Sequence, residues 1–119
     1  MKNKILKSNF NIDLLCKGIT NILEEYKAED IKTISLRDKS DMADYIVICT
    51  GTSTRHVKAL ANYLTEELKK QELALLSIEG NQSGDWILVD TGDIITHLFR
   101  AEVRKYYNIE KIWDTPIIK

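Results

Sequence analysis

Residues 84–99 read GDWILVDTGDIITHLF, and this stretch decides the central part of the predicted fold. Two apolar runs, 86–90 and 93–99, flank Thr91-Gly92, a pattern typical of a β-hairpin with a two-residue turn. Such a turn fixes the residues that face each other across the two strands. The predicted cross-strand pairs are Asp90 with Asp93, Leu88 with Ile95, and Trp86 with His97.

Side chains alternate along each strand, so the sequence also predicts the two faces of this hairpin. One face is almost entirely aliphatic and is the predicted core face: Ile87, Val89, Ile94, Thr96 and Leu98. The opposite face, called the hairpin face below, carries Trp86, Leu88, Asp90, Asp93, Ile95, His97 and Phe99. It is too apolar for free exposure and too polar for a dry core, which indicates a contact surface for a partner. The alternative is that a C-terminal segment folds over it, with Tyr106, Tyr107, Ile109 and Trp113.

Composition restricts the class of protein. The chain has 119 residues, 44% hydrophobic and 29% charged, which fits one globular domain over 11–119 after a flexible tail, 1–10. A net charge of -1 argues against broad binding to nucleic-acid phosphates. No apolar run has a membrane-spanning length of ~18 residues, and the N-terminus lacks a signal-peptide pattern. We therefore expect no membrane association and a cytoplasmic location. Cys16 and Cys49 lie in apolar stretches and are predicted to be buried, reduced thiols.

Periodicity along the rest of the chain predicts helices around this hairpin. A helical pattern begins at Asn11, and a second helix follows the loop Thr50–His56, where Ser53 is the candidate cap. Further strands are predicted at 31–36, 45–49 and 73–78, a short helix at 102–107 and a turn at 109–113. The order α-β-β-α-β-β-β-α predicts an α/β or α+β sandwich, with a mixed sheet of about five strands flanked by helices.

Candidate catalytic and metal sites are weak in this sequence. The TGTS loop at 50–53 could offer backbone N–H groups to an anion, and Asp90 with Asp93 could hold Mg²⁺ in a nucleotidyltransferase-like enzyme. A zinc site would need Cys49, His56 and His97 to converge without ligand spacing. Ser53 next to His56 is better explained by capping, and the two aspartates by turn formation. We predict no catalytic residue, no metal and no cofactor, with that enzyme as the alternative.

Several short motifs resemble the ribosomal silencing factor family, also called the Iojap family. They are DYIVI at 44–48, TGTSTRHV at 50–57, EG at 79–80, DWILVD at 85–90 and GDII at 92–95 with His97. The match ends with Arg104, Tyr107, Ile109-Glu110 and Trp113-Asp114. It departs from the family pattern at Thr91, where a bulkier residue is usual, and at Thr96, where an aliphatic residue is usual.

This resemblance implies a binding role rather than catalysis. It implies a nucleotidyltransferase-like core without catalytic acids, a homodimer when free, and binding to the large ribosomal subunit through a ribosomal protein at the subunit interface. Bound there, the protein would sterically block joining of the small subunit and repress translation under nutrient limitation. The expected contact residues are Trp86, Leu88, Asp90, Asp93, Ile95 and His97. The sequence leaves open whether Arg55 and His56 make a minor contact with ribosomal RNA, whereas Arg104 is expected to brace the fold. A homodimeric scaffold without a ribosomal role is a third alternative.

Overall fold

A computed structural model describes residues 12–37, 41–71, 75, 77–80 and 82–114 of the chain. Four helices lie in these ranges: α1 (Ile12–Glu25), α2 (Thr54–Lys70), α3 (Ala101–Tyr107) and α4 (Glu110–Asp114). Five strands lie between them: β1 (Glu29–Ser35), β2 (Tyr45–Gly51), β3 (Ser77–Glu79), β4 (Trp86–Asp90) and β5 (Ile94–Arg100). None of the helices in the described part of the chain has the length and apolar character needed to cross a bilayer.

The five strands form one sheet in the order β1-β2-β5-β4-β3. The two central strands, β2 and β5, run parallel, while the other neighbouring pairs are antiparallel. Parallel neighbours cannot be joined by a tight turn, and here α2, β3 and β4 intervene between them. The predicted mixed sheet of five strands flanked by helices is therefore confirmed.

The helices α1 and α2 cover one side of the sheet. Their apolar stripes include Ile19, Leu23 and Leu64, which pack against the inward-facing residues of the central strands. The predicted core face of the hairpin lies here, since Ile87 and Leu98 are completely buried. Cys16 and Cys49 are both free and buried, as predicted.

A smaller apolar cluster lies on the opposite side of the sheet. Its buried members are Ile34, Leu36, Ala43, Ile46, Ile48, Ile95 and Phe99. Ile34 and Leu36, two positions apart in the sequence, share this face. Strand β2 contributes residues to both clusters. Val47 and Cys49 face the helices, while Ile46 and Ile48 face the smaller cluster. The continuous apolar run at 45–49 is typical of a strand covered on both faces, and the structure has this arrangement.

The loop between β2 and α2 is held by local hydrogen bonds. Ser53 caps α2, since its Oγ accepts from the backbone N–H of His56 at 3.0 Å. The strand can turn into this loop only with a small residue at Gly51, where a Cβ atom would lie 2.7 Å from Cγ2 of Val57. The predicted capping role of Ser53 is confirmed.

The predicted register of the hairpin is wrong by two residues. The observed pairs are Trp86 with Phe99, Leu88 with His97, and Asp90 with Ile95. The tip consists of Gly92 and Asp93, because the backbone N–H of Thr91 donates to the carbonyl of Ile94 at 3.1 Å. Gly92 has a φ of 95° at the first tip position, a conformation that glycine adopts readily and the β-branched Thr91 does not. A shift of two residues keeps every side chain on its predicted face.

Other boundaries differ from the sequence predictions at the ends of elements. Of the strand predicted at 73–78, the structure describes β3 over Ser77–Glu79, and residues 72–74 and 76 lie outside the described residues. The predicted turn at 109–113 overlaps the short helix α4. The predicted tail at 1–10 also lies outside the described residues.

Candidate docking surface on the hairpin

Trp86 is the central residue of the hairpin face as the structure presents it. It begins β4 directly opposite Phe99, and the two ring centroids are 4.8 Å apart. Its indole N–H donates to Nδ1 of His97 at 2.9 Å. The residue remains partly exposed, and its ring centroid lies 5.0 Å from that of Tyr107. Trp86 is thus anchored from below and accessible from outside, which suits a contact residue.

Two of the six expected contact residues are almost inaccessible. Ile95 and His97 each expose only 8% of their surface, because β5 is a central strand and the smaller apolar cluster packs against it. Burial also lowers the pKa of His97 to about 4, so the imidazole is neutral at neutral pH. These two residues lie under the surface and support it, whereas Trp86, Leu88, Asp90 and Asp93 remain partly exposed.

The turn end of the hairpin carries carboxyl groups, but not in the predicted arrangement. Asp90 does not face Asp93; its carboxylate accepts from the backbone N–H of Gly92 at 2.8 Å and so stabilises the turn. Asp93 lies next to the start of β2, and its carbonyl accepts from the backbone N–H of Asp44 at 2.8 Å. Burial and the nearby Asp44 carboxyl raise the pKa of Asp93. Sequence reasoning missed Asp44, because only the parallel pairing of β2 with β5 brings it here.

The C-terminal segment covers part of the hairpin face, as the alternative interpretation expected. Val103 and Ile109 pack against the smaller apolar cluster, and Tyr107 lies against Trp86. Tyr107 is nevertheless 53% exposed, and its neighbour Tyr106 is 80% exposed. The fourth residue of that expectation, Trp113, has a side chain outside the described part of the structure. The accessible surface therefore extends from the hairpin onto α3.

The open end of the hairpin is fixed by Asp85 and Arg100. The backbone N–H of Arg100 donates to the Asp85 carbonyl at 3.0 Å, and its Nε donates to the Asp85 carboxylate at 2.8 Å. Gly84 precedes this pair with a φ of 74°, and a Cβ atom there would lie 2.9 Å from the carbonyl oxygen of Thr54. The aspartate of the Asp85-Trp86 motif therefore holds the strand end that carries the tryptophan.

The groups that an enzyme of the nucleotidyltransferase type would need lie at opposite ends of the sheet. The TGTS loop follows the C-terminal end of β2, where Gly51 pairs with Arg100. Asp90 and Asp93 lie at the other end, beside Tyr45. The seven residues of β2 separate this end from the loop by roughly 20 Å. The structure does not bring the loop and the carboxylates together.

The residues weighed for zinc are also separated. Cys49 faces the helices, where burial raises the pKa of its thiol to about 12, whereas His97 lies on the opposite side of the sheet. His56 is engaged elsewhere, since its Nε2 lies 2.9 Å from the carbonyl oxygen of Tyr26. Within the described ranges, no group of three or more His, Cys, Asp or Glu residues is placed to hold a metal ion.

His56, which the sequence left open for an RNA contact, and Arg104, which was expected to brace the fold, both have internal partners. Nδ1 of His56 accepts from the backbone N–H of Thr52 at 2.9 Å, so the imidazole joins this loop to the end of α1. Arg104 binds the Asp30 carbonyl, the Thr50 hydroxyl and the Glu110 carboxylate. Both side chains brace the fold, which agrees with the expectation for Arg104.

Comparison with known proteins identifies the family of this chain. The family model described as "Ribosomal silencing factor during starvation" matches residues 11–117. This chain belongs to the ribosomal silencing factor family. A ribosomal silencing factor of Zymomonas mobilis is 44% identical over 107 residues, which cover 90% of this chain and 80% of that relative. A mouse relative, named "Mitochondrial assembly of ribosomal large subunit protein 1", is 37% identical over 89% of this chain and 46% of its own length.

Solved structures of similar chains have the same fold. A crystal structure of a Chromobacterium violaceum protein superimposes with a TM-score of 0.85 at 34% identity, covering 91% of this chain and 90% of the other. A second, from Bacillus halodurans, gives a TM-score of 0.78 at 31% identity and covers 90% and 98% of the two chains. The family resemblance read from the sequence motifs is confirmed, and the family name describes a regulatory factor rather than an enzyme.

Proposed function

We propose that this protein binds the large ribosomal subunit through its hairpin face and sterically blocks joining of the small subunit, which lowers translation under nutrient limitation. The observation that carries the proposal is the partly exposed Trp86, supported by buried Phe99 and His97 and flanked by the exposed Tyr107. Large aromatic residues in such settings are frequent hot spots of protein interfaces. The names of the Zymomonas and mouse relatives support a ribosomal target.

Charge around this aromatic centre favours a basic partner. Asp90, Asp93 and Asp44 lie at the turn end of the hairpin, whereas Asp85 at the open end is already paired with Arg100. Ribosomal proteins are generally basic, and complementary charge increases association rates and selects among partners. A ribosomal protein at the subunit interface is therefore the proposed direct partner. His56 and Arg104 are occupied within the fold, which leaves little support for an RNA contact through them.

The mechanism we propose is occupation of space. The protein has principal extents of 42 × 41 × 21 Å and a radius of gyration of 14.0 Å. A body of this size, seated on the joining face of the large subunit, excludes an incoming small subunit without any chemical step. When the protein is not bound to ribosomes, we propose that it forms a homodimer in the cytoplasm.

Co-sedimentation with separated ribosomal particles tests the proposal. The purified protein should sediment with isolated large subunits, should not sediment with small subunits or joined ribosomes, and should inhibit joining as its concentration rises. Failure to sediment with large subunits would overturn the proposal. It would favour the homodimeric scaffold, in which a second copy occupies the face that contains Trp86.

Substitution of Trp86 tests the location of the interface. Trp86→Ala should weaken binding to large subunits by about 2 kcal/mol or more. Leu14→Ala is the matched control, because Leu14 is 63% exposed on α1, on the opposite side of the sheet. Thermal unfolding would show that both variants fold. Unchanged affinity in folded Trp86→Ala would remove this residue from the interface.

A further inference from the structure

The hydrogen bond between Trp86 and His97 connects two residues that are diagonal neighbours on the hairpin. Trp86 faces Phe99, and His97 faces Leu88 on the adjacent strand. The indole Nε1 donates to Nδ1 of His97 at 2.9 Å, and His97 is only 8% exposed. An Nδ1 that accepts a hydrogen bond must lack a proton, so the imidazole is neutral and carries its proton on Nε2.

Three aromatic rings also limit the orientations open to the indole. Its centroid lies 4.8 Å from Phe99, 5.0 Å from Tyr107 and 5.9 Å from His97. Phe99 is completely buried and provides a fixed floor, while Tyr107 borders the ring on the side of α3. The hydrogen bond selects one orientation among those that this packing permits, because a partly buried indole N–H needs an acceptor.

We infer that His97 is a positioning residue for the docking surface. Its Nδ1 accepts the hydrogen bond of the indole N–H, which leaves the apolar ring of Trp86 facing the partner. This inference rests on the proposed function. A partner then meets no hydrogen-bond donor at Trp86 and must recognise it with aliphatic or cationic side chains, which pack on aromatic rings. Arginine and lysine provide both features, in agreement with a basic ribosomal protein. An indole fixed before binding also loses less side-chain entropy when the complex forms.

A matched pair of substitutions separates the acceptor of His97 from its volume. In His97→Asn, Oδ1 occupies the position of the imidazole Nδ1 relative to Cγ and can accept the indole N–H. His97→Leu has the same branching as Asn and no acceptor, so both variants lose the same ring. We expect His97→Asn to retain affinity for isolated large subunits within roughly twofold, and His97→Leu to lose roughly fivefold to tenfold.

The indole N–H signal in ¹H–¹⁵N NMR spectra tests the positioning directly. The chain has two tryptophans, so a Trp113→Phe background leaves Trp86 as the only indole. The signal should be sharp and protected from solvent exchange with His97 or with Asn at 97. It should move and exchange faster in His97→Leu. An unchanged indole signal in His97→Leu would overturn the inference, whatever the binding results.

A double-mutant cycle distinguishes positioning from a general loss of packing. Trp86→Phe keeps an aromatic ring and has no N–H, so His97→Leu should cost no further affinity in that background. Equal losses in His97→Asn and His97→Leu, or an undiminished loss in the Trp86→Phe background, would overturn the inference. Absence of large-subunit binding by the unsubstituted protein would instead reject the proposed function, and the indole signal would still decide whether His97 fixes Trp86.

Discussion

Arg104 and Glu110 form a two-pronged ion pair that joins α3 to α4. Nε of Arg104 lies 2.9 Å from Oε1 of Glu110, and Nη2 lies 3.2 Å from Oε2. The same guanidinium donates to the Asp30 carbonyl at 2.7 Å and to the Thr50 hydroxyl at 2.8 Å. One side chain thus connects the C-terminal helices to β1 and β2, and these helices carry the edge of the proposed docking surface.

Removal of Arg104 should therefore destabilise the fold. The pair is largely buried, with side-chain exposures of 13% for Arg104 and 20% for Glu110. Arg104→Ala leaves a buried carboxylate and two other acceptors without this donor, so we expect the free energy of unfolding to fall by roughly 2–4 kcal/mol. Arg37→Ala is the control, because its pair with Asp13 is exposed at 48% and 69% and should contribute far less to stability. Similar losses in urea denaturation of the two variants would contradict this prediction.

Thr96 should be replaceable by valine with a gain in stability. Thr96 is completely buried between Val47 and Val89 on the neighbouring strands, and its hydroxyl has no hydrogen-bond partner among the described residues. Thr96→Val removes an unsatisfied buried hydroxyl and keeps the shape, so the free energy of unfolding should rise by about 1 kcal/mol.

Thr91 provides the opposite case for comparison. It is also buried, but its hydroxyl donates to the Ile94 carbonyl at 2.9 Å. Thr91→Val should therefore lower the free energy of unfolding by about 1 kcal/mol. A thermal or urea melt of the two variants side by side would refute the explanation if both changed stability in the same direction.

Asp93→Asn should stabilise the fold at neutral pH and weaken large-subunit binding. Burial first, and the Asp44 carboxyl second, raise the pKa of Asp93 above its usual value. A carboxyl with a raised pKa in the folded state contributes stability at low pH, which is lost as the pH rises through that pKa. The neutral amide avoids this loss, whereas a basic partner loses one complementary charge.

Asp90→Asn is the matched control for the stability measurement, because an amide oxygen can still accept from the N–H of Gly92. Unfolding should be followed by urea denaturation from pH 3 to pH 7, and binding by sedimentation at several salt concentrations. For Asp93→Asn, the difference in stability from the unsubstituted protein should grow with pH. Salt should weaken binding of the unsubstituted protein more than that of the variant. Stabilisation that did not depend on pH would rule out the electrostatic cause.

His97 should make the fold less stable as the solution is acidified. Burial lowers the pKa of His97 to about 4, below its usual 6.5. Between these values the unfolded state binds a proton that the folded state does not, so stability falls as the pH decreases through this interval. The loss should amount to at most roughly 3 kcal/mol, and it should be absent from the pH dependence of His97→Asn. Parallel stability curves for the two proteins between pH 6.5 and pH 4 would contradict this explanation.

The sequence alone predicted which side of the hairpin each side chain would occupy. This prediction remained correct although the register was wrong by two residues, because a shift by two preserves the alternation of side chains. The sequence also predicted the sheet class, the cap at Ser53 and the buried cysteines. Each of these depends on local periodicity or on one side chain next to its own backbone. The family motifs were also readable as short local strings.

Only the tertiary structure decided what the hairpin face is made of. The parallel pairing of β2 with β5 brings Asp44 to Asp93, and the packing of α3 places Tyr107 against Trp86. The same packing buries His97, an expected contact residue, and its Nδ1 accepts the indole N–H of Trp86. The physical reason is that alternation is a property of a single extended strand. Burial and partners depend instead on segments that are distant in the chain and meet only when the whole core forms.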